Sequence, residues 1–195
     1  MGQYFENQDL PSKMVKTESF VLNKKFIFYT DNGVFSKDGL DFGSRLLLES
    51  IPLEEVGGKV LDMGCGYGVI GIVVNKLTNA NVEMVDVNLR AIHLCEINIK
   101  ENHCKNICVY ESNVYENVNS KYTSIITNPP IRAGKKVVYD IVMNATNYLE
   151  NDGKLFIVIR KEQGAKSLIR DLQEKYLVKI LNKKKGFYIL ECSIV

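Results

Sequence analysis

Asp62, the glycines at 64, 66 and 68, Asp86 and the run Asn128-Pro129-Pro130-Ile131 are the residues of this sequence with the clearest chemical potential. Residues 60–71 read V-L-D-M-G-C-G-Y-G-V-I-G: an apolar run ending in an acid, a glycine-dense turn, then the apolar spacing of a helix. This pattern predicts a buried strand that breaks into a tight loop and opens a helix. Glycines suit such a loop because a ligand approaches the backbone closely and the chain takes positive φ. In open α/β sheets, this strand–loop–helix corner is where nucleotides bind. Residues 125–131 read I-I-T-N-P-P-I. Two prolines cannot continue a central strand, and they hold the backbone extended. The Asn128 amide and the Pro129 carbonyl are thereby fixed as two acceptors able to converge on one amino group.

The ligand of the corner follows from charge. Gly66-x-Gly68-x-x-Gly71 matches a dinucleotide fingerprint, and Asp86 lies about the expected distance onward to take ribose hydroxyls. The glycines begin at Gly64, however, which puts that match out of register with the strand end. Asp62 is also expected to point into the site, where a carboxylate repels a pyrophosphate. S-adenosylmethionine carries no phosphate; its methionine end has an ammonium and its sulfur is cationic, so an acid there is favourable. This favours a methyl donor over NAD. The second constellation supplies a matching acceptor chemistry. An sp² amino nitrogen is a poor nucleophile because its lone pair is conjugated. Two acceptors gripping its hydrogens favour the attacking geometry.

The elements that must position these groups are legible in the hydrophobic pattern. Residues 1–18 read as a polar, loose arm. The apolar runs 20–22 and 26–29 flank Asn23-Lys24-Lys25 and predict a β-hairpin. Residues 30–38 are turn-rich yet contain Val34 and Phe35, which suits a lid better than an exposed tip. A helix is expected from about Leu40, with Phe42, Leu46, Leu47 and Ile51 on its apolar side; Asp41 and Ser44 either close over the cofactor or start that helix. From Lys59 the rhythm changes to strand–helix alternation, the signature of a parallel sheet. Strands are predicted at 60–62, 82–86, 107–110, 124–127 and from Gly153 through L-F-I-V-I. Helices are expected over 89–102, along the stripe Val137 to Leu149, and around Ala165, Leu168, Ile169 and Leu172. Two last strands, 177–181 and 187–194, are joined too tightly for a crossover helix and must be antiparallel neighbours.

Bulk properties narrow the class without naming a function. A chain of 195 residues is expected to be a single domain, residues 1–58 forming a hairpin, lid and helix and 59–195 the cofactor-binding core. No apolar run reaches a membrane span and no signal-peptide core precedes the hairpin. The odd count of five cysteines, without framework spacing, points to reduced thiols in a cytoplasm. His93, Cys95, His103, Cys104 and Cys108 match no trusted ligand spacing, so no metal is expected. Net charge is only +2, so any case for nucleic acid rests on local distribution.

Taken together, D-M-G-C-G-Y-G, Asp86 and N-P-P-I-R-A-G-K at 128–135 resemble class I S-adenosylmethionine-dependent N-methyltransferases. The preface D-N-G-V-F-S-K-D-G-L-D-F-G-S-R-L-L at 31–47 is similar to the group of ribosomal RNA small-subunit methyltransferase C, in a short single-domain form. The resemblance implies a Rossmann-like α/β fold with a seven-stranded, mostly parallel sheet, an antiparallel last strand and helices on both faces. It implies methylation of a guanine exocyclic amino group in 16S rRNA, with ribosomal RNA or the 30S subunit as partner. Asp62, Gly64, Cys65, Gly66 and Gly68 would seat the methionine end, Asp86 and Val87 the ribose, and Asn113 and Val114 the adenine, with Asn128 nearby. Asn128 and Pro129 would orient the attacking nitrogen, and Pro130 and Ile131 would shape the base pocket.

Two positions depart from the pattern. The fourth motif residue is usually aromatic and stacks on the flipped base; here it is Ile131, which leaves Phe35 or Tyr115 to stack. Asn113 stands where an Asp is usual, and its side-chain oxygen still accepts a hydrogen bond. Arg132, Lys135 and Lys136, Arg160 and Lys161, and Lys183, Lys184 and Lys185 all follow expected strand ends, predicting a basic rim for RNA phosphates. The same asparagine chemistry serves adenine in DNA or RNA, or a protein glutamine amide. A non-enzymatic RNA-binding factor and an NAD oxidoreductase remain as further alternatives.

Overall fold

The glycine corner and the Asn-Pro-Pro run lie at the carboxyl ends of two neighbouring parallel strands. The computed structural model describes residues 11–37 and 39–195; the first ten residues of the arm expected over 1–18 lie outside the described residues, as does Asp38 of the lid. In chain order the elements are β1 Val15–Val21, β2 Lys24–Thr30, α1 Phe42–Ser50, β3 Lys59–Met63, α2 Val69–Thr78, β4 Asn81–Asp86 and α3 Leu89–Glu101. There follow β5 Ile107–Glu111, β6 Tyr122–Thr127, α4 Lys135–Asn144, β7 Leu149–Arg160, α5 Ala165–Leu172, β8 Tyr176–Lys184 and β9 Phe187–Ile194. The last seven strands form one sheet in the order β5-β4-β3-β6-β7-β9-β8. Only β9 opposes the others: it pairs antiparallel with both β7 and β8. The expected mostly parallel class I sheet is therefore the observed one.

Alternation along each strand divides the core in two. In β3, Val60 joins one apolar cluster, with α1, α2, α3 and the hairpin. Leu61 and Met63 join the other, with α4 and α5. Strand order reverses between β3 and β6, the switch point at which ligands bind in open α/β sheets.

The hairpin is fastened by two asparagines. Asn98 on α3 and Asn102, the residue that caps its end, lie four apart, about one helical turn, matching the spacing of alternate residues on a strand. Asn98 accepts from Tyr29 N at 2.6 Å and donates to Tyr29 O at 3.0 Å. Asn102 accepts from Ile27 N at 3.1 Å and donates to Ile27 O at 2.7 Å. Two side chains thus act as a surrogate strand for the open edge of β2.

Three expectations need correction. The loose arm was expected to run to residue 18, but Val15 already begins β1. Its inward positions include Ser19 (6% exposed), a small polar residue that conceals the alternation. The hairpin turns at Leu22 and Asn23, both at positive φ, rather than over 23–25. The helical stripe was expected to reach Leu149. Instead α4 ends at Asn144, and Tyr148 O accepts from Tyr122 N at 2.8 Å, drawing Leu149 into β7.

Candidate active site

The glycine loop is built from both sides. Gly64 N and Cys65 N donate to Val85 O at 2.9 and 3.0 Å, joining the loop to the end of β4. Asp86 continues that anchorage: its carboxylate accepts from Gly66 N at 2.8 Å and Asn88 N at 2.9 Å. Burial holds its pKa above the usual carboxylate range, opposed by donors from Asn88, Gly66 and Val87. Gly66 sits at φ 55°, and a Cβ there would meet nothing within 4 Å. Its glycine therefore serves the left-handed turn and leaves the cavity face of the loop open. Gly71 answers a different need, because a Cβ there would reach Met84 Sδ at 2.4 Å; helix α2 can approach the sheet only without a side chain.

Asp62 does not stand in the cavity wall, contrary to the expectation that it points into the site. It lies beneath the loop, 1% exposed, with Oδ2 accepting from Gly71 N at 2.8 Å. Its Oδ1 is buried and has no hydrogen-bond partner. Desolvation, with Asp86 nearby, pushes its pKa up to about 7. Gly68 is likewise structural: its Cβ would meet Cys95 Sγ at 2.4 Å, so it packs against α3 rather than lining the cavity. Cys65 does line it, but burial holds its thiol well above the usual range, which makes it inert.

The Asn-Pro-Pro run is held by groups from two elements. Thr127 Oγ1 donates to Met63 O at 2.8 Å, clamping the ends of β6 and β3 together. Asn128 Nδ2 donates to Ser44 Oγ at 3.0 Å and more weakly to Asp41 Oδ1 at 3.4 Å. Asp41 is also the N-cap of α1, accepting from Ser44 N at 3.0 Å. Of the two roles weighed for this pair the helix start is the one seen, with Asp41 as N-cap; in addition Asp41 and Ser44 hold the Asn128 amide, a role of which the sequence carried no sign. Asn128 lines the cavity, and with its amide nitrogen so engaged its Oδ1 is the acceptor left to the side chain.

These parts enclose a cavity of about 670 Å³, within the roughly 300–1,000 Å³ typical of small-ligand sites. Its walls bring together Gly64, Cys65, Gly66, Asp86, Val87, Asn113, Val114, Asn128, Pro129, Pro130, Ile131 and Arg132, with Phe35 from the lid. The lid is tied down rather than free: Asn88 Nδ2 donates to Gly33 O at 3.0 Å, Arg90 to Asn32 O at 2.9 Å, and Val34 is fully buried. Tyr115 is excluded as a stacking residue. Its ring stacks on Tyr148 at 4.2 Å and its hydroxyl donates to Ile141 O at 2.8 Å, in the core beneath α4. Lys135, Lys183, Lys184 and Lys185 are exposed and outside the wall. The pairing of Arg160 and Lys184 with Phe187 puts the last hairpin on the same edge as Asn128. Phe42, Phe187 and Gln163 also line the cavity, although their spacing carried no sign of it. Among the described residues no cluster of three or more His, Cys, Asp or Glu could hold a metal, and no helix is long and apolar enough to cross a membrane.

Residues 25–191 match the methyltransferase small domain. The chain belongs to that family. Family and fold together make it a class I methyltransferase. Within the family, it is 45% identical over 197 residues to the uncharacterized protein YbxB of Bacillus subtilis (strain 168), covering 98% of each. Ribosomal RNA small subunit methyltransferase C of Psychromonas ingrahamii is 34% identical over 165 residues, which are 82% of this chain and 46% of that protein. The chain thus spans less than half the length of that relative. Among solved structures, the T. thermophilus 16S rRNA N2 G1207 methyltransferase RsmC, in complex with AdoMet and guanosine, superposes with a TM-score of 0.84 at 26% identity. The match covers 96% of this chain and 52% of that one.

Proposed function

We propose that this protein transfers a methyl group from S-adenosylmethionine to the exocyclic amino nitrogen of a guanine in 16S rRNA, acting in the cytoplasm. The observation that carries the reading is the fixed amide of Asn128, whose nitrogen is engaged by Ser44 and Asp41 beside a glycine-loop cavity. The residues present fit the cofactor. A cationic ligand end above the loop would compensate the buried, unpartnered Oδ1 of Asp62. Asp86 and Val87 stand at the end of β4 to take a ribose, and Asn113 and Val114 to border an adenine. When bound, S-adenosylmethionine would supply an electrophilic methyl group and leave as S-adenosylhomocysteine, the sulfur keeping the bonding pair, while the methylated nitrogen would give up one proton to water.

The chain's own residues then do the rest. Asn128 Oδ1 and the Pro129 carbonyl accept from the two hydrogens of the target amino group, aligning its lone pair and stabilising the positive charge that develops on nitrogen. Pro130 and Ile131 close the pocket around the base, which must leave its stack or already be unpaired. Arg132, Lys135, Lys183, Lys184 and Lys185 meet phosphates of the RNA. The likeness to a solved 16S rRNA N2 G1207 methyltransferase, held with guanosine, supports guanine as the base.

Labelled S-adenosylmethionine offered in parallel to 30S subunits, naked 16S rRNA, DNA and a release factor tests the proposal. The expected result is label on guanine N2 of the rRNA. Label only on adenine or on a glutamine amide would transfer the same mechanism to another substrate and overturn the rRNA reading. Cofactor binding without transfer to any substrate would overturn the enzymatic one.

A further inference from the structure

Ile131 offers no π-face, and Tyr115 is occupied by Tyr148. What remains is an aromatic wall on the Asn128 side of the cavity. Phe42, the first residue of α1, follows Asp41, which helps to hold the asparagine amide. Its ring meets that of Phe187, at the start of β9, with centroids 5.3 Å apart and planes inclined at 54°. Both rings line the cavity. The wall is pre-organised. A Cβ at Gly43 would lie 2.9 Å from Phe187 Cε1, so the second position of α1 is kept bare where that ring passes. Arg160 lies 4.9 Å from the centroid of Phe187, and Lys185 Nζ lies 5.1 Å from that of Phe42. Each ring is thereby braced by a cation belonging to the basic rim.

We propose that Phe187, backed by Phe42, is the platform on which the target base stacks, in place of the aromatic residue missing at position 131. The assignment rests on the rRNA reading and sharpens it. A braced aromatic wall matches the planar face of a nucleobase and gives a flexible glutamine amide little to stack against. The competing aromatics are placed differently. Phe35 stands 49% exposed on the lid. Tyr67 is 4% exposed, edge-on to Phe28 at 5.9 Å, in the floor. Of these rings only Phe42 lies on the element that carries the bracket orienting Asn128, and Phe187 reaches that element from β9 by packing on Phe42. Stacking on Phe187 and gripping by Asn128 would then be coordinated through the amino terminus of α1, which touches both.

The test compares Phe187→Leu, Phe187→Trp, Phe35→Ala and Ile131→Ala with wild type in methyl transfer to 16S rRNA and 30S subunits. S-adenosylhomocysteine affinity and thermal unfolding are measured alongside. Phe187→Leu is expected to raise KM for RNA by roughly tenfold to a hundredfold, the range carried by base–aromatic stacking, with S-adenosylhomocysteine affinity retained. Phe187→Trp is expected to restore most of the loss, and Ile131→Ala to cost less than Phe187→Leu. Wild-type KM and kcat in Phe187→Leu would overturn the assignment, as would a larger KM defect in Phe35→Ala. Absence of transfer to RNA by the wild type itself would overturn the function on which it rests.

Discussion

Among single residues, Asp62 has the most diagnostic physics. Its carboxyl is buried with one oxygen unpartnered and titrates near 7, against an ordinary 3.8. Because the folded-state pKa is raised, the ligand-free protein loses stability as pH climbs from 3.8 towards about 7. Asp62→Asn should therefore be more stable to unfolding than wild type above pH 7, by on the order of a few kcal/mol, with the advantage fading as pH falls through that window. Binding of a cation above the loop has the opposite sign, because it favours the ionised acid. Wild-type affinity for S-adenosylmethionine should rise with pH through 7, and Asp62→Asn should bind weakly without that dependence. Calorimetry across pH 5–9 in two buffers of different ionisation heat would register proton release on binding; its absence would contradict this role. Ser44→Ala removes the shorter hydrogen bond to Asn128. Its predicted effect is a lower kcat with unchanged cofactor affinity, smaller than the roughly hundredfold to thousandfold loss expected when a charge-stabilising group is removed outright.

At the scale of elements, Asn98 and Asn102 fasten the backbone of β2 to α3, beside the apolar packing of Phe26 and Phe28. Replacing either with Ala leaves a backbone pair of β2 unpaired on its α3 side, at a cost of about 1–3 kcal/mol each. Hydrogen exchange should then speed up at Ile27 and Tyr29 before it does in β3 or β6; uniform exchange across both sheets would contradict this local fastening. The parallel core was readable because its strands are apolar on both faces and its glycines and prolines fall at their ends. The hairpin was readable from Phe26 and Phe28, but not its full length, because Ser19 occupies an inward position where an apolar residue would have marked the strand. Leu149 carried a helical spacing that Tyr122 overrode by pairing with it. Within the site, the motif residues were visible because each lies at or just after a strand end. Phe42 and Phe187 were not, because an aromatic in a helix start or an edge hairpin looks like ordinary core until the two elements are brought together. Asp62 was found by type but misplaced, because periodicity does not say whether a strand-end acid lines a cavity or lies beneath it.

On the scale of the whole molecule, a net charge of +2 conceals an uneven distribution. Arg160, Lys161, Lys183, Lys184 and Lys185 gather on the edge that carries Asn128, and Lys161 N donates to Gly186 O at 2.7 Å, joining two of these groups. Changing Lys183, Lys184 and Lys185 to Gln should weaken RNA binding and flatten its dependence on salt, by roughly two to three in the logarithmic slope. S-adenosylhomocysteine affinity should be unaffected. An unchanged salt slope would place the RNA elsewhere. The central claim joins this rim to the bracketed asparagine and the glycine corner, and makes methyl transfer to rRNA guanine their common product. Its most direct test is single-turnover transfer of labelled methyl to 16S rRNA, free and within 30S subunits, by wild type and Asn128→Ala at saturating cofactor. The account predicts label on guanine N2 with wild type and a rate at least about a hundredfold lower with Asn128→Ala, the cofactor being bound equally by both. Undiminished transfer by Asn128→Ala, or no label on guanine with wild type, would contradict it.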